Sequence, residues 1–178
     1  MSRIIIVLSG KQFSGKDTVA DIIKEHFSDF KEIALAGAIK KEFGKLKNIT
    51  ISEIERNKPL YRPELIELGN KGRAQSPDFW IEKVLEEEGN LIVPDLRLKH
   101  ELEAFRKRGA ITIRVESSRK ERAKRGHLVA EDDPTETQLD KTKCWDYIIE
   151  NNDTLESLKE QVAKVIDSIE KDIYSEAK

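Results

Sequence analysis

Residues Ser9 to Thr18 carry the densest chemistry in this chain, reading Ser-Gly-Lys-Gln-Phe-Ser-Gly-Lys-Asp-Thr. Gly10, Gly15 and Lys16 fall in the frame G-x-x-x-x-G-K of a phosphate-binding loop. Glycines let the backbone turn tightly, so that N–H groups around Lys11, Ser14 and Gly15 can point at phosphate oxygens. A helix opening at Asp17 adds the positive end of its dipole, and Lys16 can reach the outer phosphates as a point charge. In this frame the lysine is usually followed by Ser or Thr, whose hydroxyl binds Mg²⁺. Here Asp17 follows, with Thr18 behind it. A carboxylate can also serve Mg²⁺, directly or through a water that the ion keeps.

Other residues could share such a site. Leu91-Ile92-Val93-Pro94-Asp95 places an acid at the end of an apolar run, and Arg97 lies two residues on. In open parallel sheets, ligands bind outside the carboxyl ends of the strands. Asp95 there could hold Mg²⁺ through water or hold the substrate. Ser117 to Gly126 carries Arg119, Lys120, Arg122, Lys124 and Arg125 against the single acid Glu121. Beside a phosphate loop, such a cationic helix can close over a triphosphate, stabilise charge on the transferred group and expel water. Standing alone it would be a solvated basic face. Lys58 and Arg62 are four apart, but Pro59 between them argues against one helical face, and long surface cations are usually solvated.

The elements that must position these groups alternate in type. Ile4 to Leu8 is an apolar, β-branched run that predicts a buried strand, and Val19, Ala20, Ile22, Ile23 and Phe27 recur at helical spacing. Ile33 to Leu35, Leu91 to Asp95, Ala110 to Val115 and Trp145 to Glu150 predict further strands, with Arg114 as an outward-facing structural residue. Small residues at Ala36 to Ala38 lead into a basic helix start. Residues Asn48 to Asn57 read as a loop with a short helix at Ser52 to Arg56. Pro63 suits a first helical turn, and Ser76-Pro77-Asp78 suits a helix start whose buried side is Phe79, Trp80, Val84 and Leu85. Further helices are expected at His100 to Arg108 and Thr135 to Asp140. The last follows Asn151 to Asp153, with Leu155, Leu158, Val162, Val165, Ile169 and Ile173 as its packing stripe, and residues from Ser175 frayed. Strands alternating with helices predict a five-stranded parallel sheet with helices on both faces.

Bulk properties bound the function. The chain has 178 residues, enough for one domain with a full core. Its net charge of −2 argues against a generic nucleic-acid binder. Cys144 is the sole cysteine, so the chain has neither an internal disulfide nor a thiolate metal cage. No run approaches the ~20 apolar residues of a membrane helix, and the N-terminal apolar run is too short for a signal peptide. A cytoplasmic address is expected.

These residues resemble a known family. Ser9-Gly10-Lys11, Ser14-Gly15-Lys16-Asp17, Lys58/Arg62/Gly69/Arg73 running into Pro77 and Phe79, Asp95-x-Arg97 and Arg122-x-x-Arg125-Gly126 are similar to the small P-loop kinases that include animal-type phosphomevalonate kinase and phage-type deoxynucleoside monophosphate kinase. Asp132-Asp133, Glu136, Leu139-Asp140 and Trp145-Asp146 through Asn151 extend the resemblance over nearly the whole chain. It implies a three-layer α/β kinase domain over 1–178, with a substrate-binding region at 37–79 and a lid at 117–143. It also implies ATP- and Mg²⁺-dependent transfer to a small phosphate monoester by a monomer, without nucleic acid or membrane as partner. Lys11 and Lys16 would contact the transferring phosphates, Asp17 and Asp95 would serve Mg²⁺, and Gly10, Ser14, Gly15 and Thr18 would line the nucleotide. Lys58, Arg62, Arg73, Asp95 and Arg97 would meet the acceptor, and Arg122 and Arg125 would come from the lid. Two positions depart from the phosphomevalonate branch: Leu98 and Gln12 stand where it has basic residues. A nucleoside monophosphate kinase is therefore the rival within the same reaction class. An ATP-binding regulatory module without turnover is the rival outside it.

Overall fold

Apolar runs that alternate in facing direction form a parallel sheet in the computed structural model, which describes residues 3–175. The elements follow in the order β1 (Ile5–Ser9), α1 (Lys16–His26), β2 (Phe30–Glu32), α2 (Leu35–Lys47), α3 (Ile51–Arg56), α4 (Lys58–Gln75) and α5 (Phe79–Leu85). Then come β3 (Asn90–Leu96), α6 (Lys99–Arg106), β4 (Ile111–Glu116), α7 (Arg119–Arg125), α8 (Pro134–Thr137), β5 (Tyr147–Glu150) and α9 (Leu155–Ser175). The sheet order is β2-β3-β1-β4-β5, and every pairing is parallel. From β1 the chain crosses to the edge at β2, returns to β3 and then runs past β1 to β4 and β5. Right-handed crossovers therefore put helices on both faces.

The core explains the order. Ile6 and Leu8 of β1 join Ile92, Ile113, Val115 and Ile149 against Val19, Ala20 and Ile23 of α1 and Leu158, Val162 and Ile169 of α9. Ile5 and Val7, at alternate positions, point to the opposite face and are equally buried. Such all-apolar central strands are what a sheet covered on both faces demands. No helix among the described residues is long and apolar enough to cross a membrane. Residues 1–2 and 176–178, and with them the fraying expected past Ser175, lie outside the described residues, as does the side chain of Ile173.

Two compact units make up the chain: one holds the sheet, from residues up to Glu32 together with those from Gly89 onward, and the other is Ile33–Glu88. In the second unit, α2 packs on α4 and α5. Trp80 is buried, and its Nε1–H donates to the Gly69 carbonyl at 2.9 Å. A Cβ on Gly72 would come within 2.6–2.8 Å of the Trp80 and Phe79 rings. Gly72 thus permits the close approach of α4 and α5.

Several local expectations need correction. The second strand is Phe30–Glu32, not Ile33–Leu35, and Leu35 opens α2. Phe30 is the residue that enters the sheet core, while Lys31 and Glu32 stay exposed. Pro59, not Pro63, occupies the first turn of α4, where a missing N–H leaves no intrahelical bond unmade. Lys58 and Arg62 consequently do share one helix. Ser76 closes α4 rather than opening α5, which Asp78 precedes. The helix expected at Thr135–Asp140 is the single turn Pro134–Thr137, set by the Asp133 carboxylate accepting from Thr135 N at 2.8 Å. Arg114 does not face solvent; it is 5% exposed.

Gly72→Ala should destabilise the protein by about 1–3 kcal/mol through overpacking against Trp80, read as a lower thermal midpoint by circular dichroism. An unchanged midpoint would mean that α4 and α5 part without cost.

Candidate active site

A register shift shapes the floor of the site. β1 and β3 pair in step from Ile5↔Leu91 to Val7↔Val93, and then Ser9 faces Leu96. One extra residue on β3 is accommodated across Pro94 and Asp95. Proline fits a bulge because it need not donate to a ladder there. The pairing of β2 with β3 ends at Glu32↔Ile92, which leaves Pro94 beyond it. The bulge presents Asp95 and Arg97 to a cavity of about 440 Å³ that Lys16, Asp17, Thr18 and Arg125 also line.

The loop above this floor is built to approach anions. Gly15 has φ +102°, a left-handed conformation, and a Cβ on it would collide with the Asn151 side-chain amide. Asn151 Nδ2–H donates to the Ser14 carbonyl at 2.9 Å, and Asn151 N–H to the Glu116 carbonyl at 2.7 Å. A Cβ on Gly10 would collide with Ser14 Oγ and the Val115 carbonyl. Inside the loop, Ser14 Oγ is buried with no hydrogen-bond partner among the described residues. The Lys16 ammonium donates to the Lys11 carbonyl at 3.1 Å. Burial pulls the Lys16 amine down to about 8, with the positive charge of Arg97 adding to the shift and Asp17 and Glu136 opposing it.

An orphaned hydroxyl, a buried ammonium and glycines that a Cβ could not replace fit a phosphate chain. Asp17 and Asp95, two hard carboxylate donors on one cavity, fit Mg²⁺. Among the described residues no group of three or more His, Cys, Asp or Glu could hold a metal alone. Phosphate oxygens and water would have to complete its shell, as is usual for Mg²⁺.

Acids from residues 131–140 hold the cations around the loop. Arg97 Nη1–H donates to Glu136 Oε1, and Glu136 Oε2 accepts from Gln12 N–H at 2.9 Å. Lys11 pairs with Asp140 at 2.7 Å. Arg119 and Arg122 reach Glu131 at 2.8 and 3.4 Å. Arg125 donates to the Phe13 carbonyl at 3.1 Å, to Ser117 Oγ at 3.1 Å and to the Asn151 carbonyl at 2.8 Å. Glu101 accepts from the N–H groups of Arg97 and Leu98 at 2.9 and 3.0 Å and so fixes the turn after β3. Burial raises the Glu101 carboxyl, against those two bonds.

The structure thus brings Gly15, Lys16, Asp17, Thr18, Asp95, Arg97 and Arg125 to one cavity. Lys11 and Arg122 line a neighbouring cavity of about 450 Å³, together with Arg114, Arg119 and Asn152. Gly10 and Ser14 lie within the loop. Lys58, Arg62 and Arg73 belong to the second unit. They sit four and eleven residues apart on α4, close to one and three turns at 3.6 residues each, so one face carries all three. Arg73 donates to Asn70 at 3.3 Å. Sequence reasoning missed Arg114, whose Nη1–H donates to Ser9 Oγ at 3.0 Å and whose guanidinium lies 3.5 Å from Asp140. It also gave no role to Glu136, Asp140 or Glu101. The one available signal was the strand alternation that puts Arg114 on the side opposite Ile113 and Val115.

Parallel sheet, loop and cavity together define a nucleotide-binding P-loop kinase fold. A sequence model of phosphomevalonate kinase matches residues 8–110, more than half of the chain. The chain belongs to the phosphomevalonate kinase family. A model of deoxynucleotide monophosphate kinase matches residues 75–162. Among solved structures, a gluconokinase from Sinorhizobium meliloti 1021 is similar at 15% identity, with a TM-score of 0.59, 99% of this chain and 98% of that chain covered. Shikimate kinase from Aquifex aeolicus vf5 is similar at 19% identity, with a TM-score of 0.53 and coverage of 96% and 99%. An APS kinase from Mycobacterium tuberculosis, solved in complex with AMPPNP and APS, is similar at 15% identity, with a TM-score of 0.55 and coverage of 94% and 98%. At these identities the likeness is one of fold.

Because folding lowers the Lys16 amine to about 8, its charge costs stability below that pH. Stability should then rise as pH climbs from about 8 towards 10.5, where the unfolded chain still holds the proton. Lys16→Met should stabilise the nucleotide-free protein at pH 7 by on the order of 2 kcal/mol, and this gain should shrink across that window. Denaturant titrations of both proteins at pH 7 and pH 10 check it; a constant difference would contradict it.

Proposed function

We propose that this protein transfers the γ-phosphoryl group of ATP, with Mg²⁺, to the phosphate of a small phosphate monoester, and that mevalonate 5-phosphate is that acceptor. The observation that carries the reading is the convergence of Lys16, Asp17, Asp95, Arg97 and Arg125 on one cavity beside the phosphate loop. Family membership supports the choice of acceptor. A small molecule as partner, action as a monomer and a cytoplasmic address belong to the same reading.

The residues divide the work. Loop N–H groups and Lys16 bind the phosphates of the donor, and Asp17 and Asp95 are the carboxylates that would hold Mg²⁺. When bound, Mg²⁺ supplies charge neutralisation on the phosphate oxygens. Arg97 is the cation placed to meet the acceptor phosphate, and leaving Glu136 frees its guanidinium fork for two parallel bonds. Lys58, Arg62 and Arg73 are assigned to the acceptor from the family resemblance. Residues 117–143 act as the lid, with Arg122 and Arg125 stabilising charge on the group in flight. An acceptor phosphate oxygen is already a nucleophile, so no side chain has to remove a proton from it. Orientation and electrostatics supply the rate.

The match to deoxynucleotide monophosphate kinase over residues 75–162 supports a second acceptor class, nucleoside monophosphates. ADP release with ATP and Mg²⁺ should be followed with mevalonate 5-phosphate and with a panel of ribo- and deoxynucleoside monophosphates. Turnover with mevalonate 5-phosphate alone is expected. Turnover with a nucleotide alone would move the acceptor assignment. ATP binding without turnover on any acceptor would favour a regulatory module.

Arg125→Ala should lower kcat by at least about 10²-fold while changing the acceptor KM little, the signature of an interaction made in the transition state. A raised KM at unchanged kcat would make Arg125 a binding residue only.

A further inference from the structure

Gln12 stands in the loop between Lys11 and Phe13, where the phosphates are expected, yet its bonds run elsewhere. Its backbone N–H donates to Glu136 Oε2 at 2.9 Å, and its carbonyl accepts from Arg122 Nη1 at 3.3 Å. Its side-chain Nε2–H donates to the Val129 carbonyl at 2.6 Å, and its Oε1 accepts from Val129 N–H at 3.3 Å. All four bonds run to three residues, Arg122, Val129 and Glu136, within 117–143. Donor and acceptor of one side-chain amide meet acceptor and donor of one backbone residue, as a neighbouring strand would. Lysine or arginine could satisfy only the Val129 carbonyl, and a carboxylate only its N–H.

The pairing sits where the chain needs support. Ala130, next to Val129, has φ +49°, a left-handed conformation that costs a residue with a Cβ. Gly126 lies against the Phe13 ring, with no room for a Cβ. Two successive loop carbonyls, of Gln12 and Phe13, receive Arg122 and Arg125 respectively. A slip of 117–143 along the loop would misplace both arginines at once.

We propose that Gln12 is the positioning residue that sets residues 117–143 in register on the phosphate loop. The consequence for chemistry rests on the kinase reading above. In productive transfer, the bond between the γ-phosphorus and the bridging oxygen breaks, ADP keeps the electron pair, and an acceptor phosphate oxygen bonds to the phosphorus. When water takes the acceptor's place, the products are ADP, inorganic phosphate and a proton. A segment held in register excludes that water.

Gln12→Ala tests this, because it removes only the Val129 pair and leaves the backbone bonds to Glu136 and Arg122. Amide hydrogen exchange in the full-length, nucleotide-free protein should accelerate about tenfold across residues 127–131, as expected for loss of two hydrogen bonds holding a surface segment. With mevalonate 5-phosphate, ATP and Mg²⁺, the ratio of ADP released to diphosphate formed should rise at least about threefold as water gains access. Unchanged exchange over 127–131 would overturn the proposal whatever the activity. Faster exchange at an unchanged ratio would overturn the water-excluding role. If the wild-type protein forms no diphosphate from mevalonate 5-phosphate, the acceptor assignment fails, and exchange alone decides the role of Gln12. Should Gln12→Ala not fold, Gln12→Met, which keeps the side-chain length but loses both bonds to Val129, should shift exchange in the same direction.

Discussion

A buried ammonium with no carboxylate ion-paired to it among the described residues is the constraint around which the sheet-bearing unit is arranged. Lys16 lies 7% exposed at the first position of α1, with one carbonyl as its hydrogen-bond partner. Desolvating a cation in this way is expensive, and the lowered amine records the cost. The surrounding structure makes the arrangement tolerable. Gly15 in a left-handed conformation aims the chain into the helix, Asn151 ties the Ser14 carbonyl to the end of β5, and Ile6, Leu8, Val19 and Ile23 anchor both flanks in the core. An anion in the loop would remove the penalty, so binding energy is stored in the fold before any ligand arrives.

The bulge between β1 and β3 works alongside this loop. Asp95 and Arg97, two residues apart, lie on one face of a regular strand. One extra residue at Pro94–Asp95 offsets the end of β3 against β1, and Glu101 then fixes the following backbone through two N–H bonds. Two strand ends, one on each side of the same crevice, thereby contribute an ammonium, a guanidinium and two carboxylates to a single cavity.

Much of this was legible in the sequence, for physical reasons. Glycine spacing, a β-branched run before it and a 3.6-residue stripe after it are local signals, and they placed β1, the loop and α1 to within a residue. The apolar run ending in Asp95 placed β3. The basic cluster at 119–125 placed α7, with Ser118 as its cap. Illegible features depended on distant partners. Arg114 looked exposed because strand alternation does not say what covers a face; here Ser9 and Asp140 do. Phe30–Glu32 took the strand position expected of Ile33–Leu35 because pairing with Asn90, Leu91 and Ile92, sixty residues on by count, decides where an edge strand lies. Glu136 and Asp140 had no pattern at all, since an acid acquires meaning only when the fold brings it to a particular cation.

Those acids have a consequence for how the site meets its ligands. Arg97, Lys11, Arg119 and Arg122 are each held by a carboxylate drawn from the ten residues Glu131 to Asp140. An arriving phosphate chain therefore exchanges one anion for another rather than stripping water from bare cations. The carboxylates never diffuse away, so their competing concentration is fixed by the length of the tether and not by the composition of the solution. The protein carries its own counterions, and its selectivity among anions is a comparison of each newcomer against a standard built into the chain.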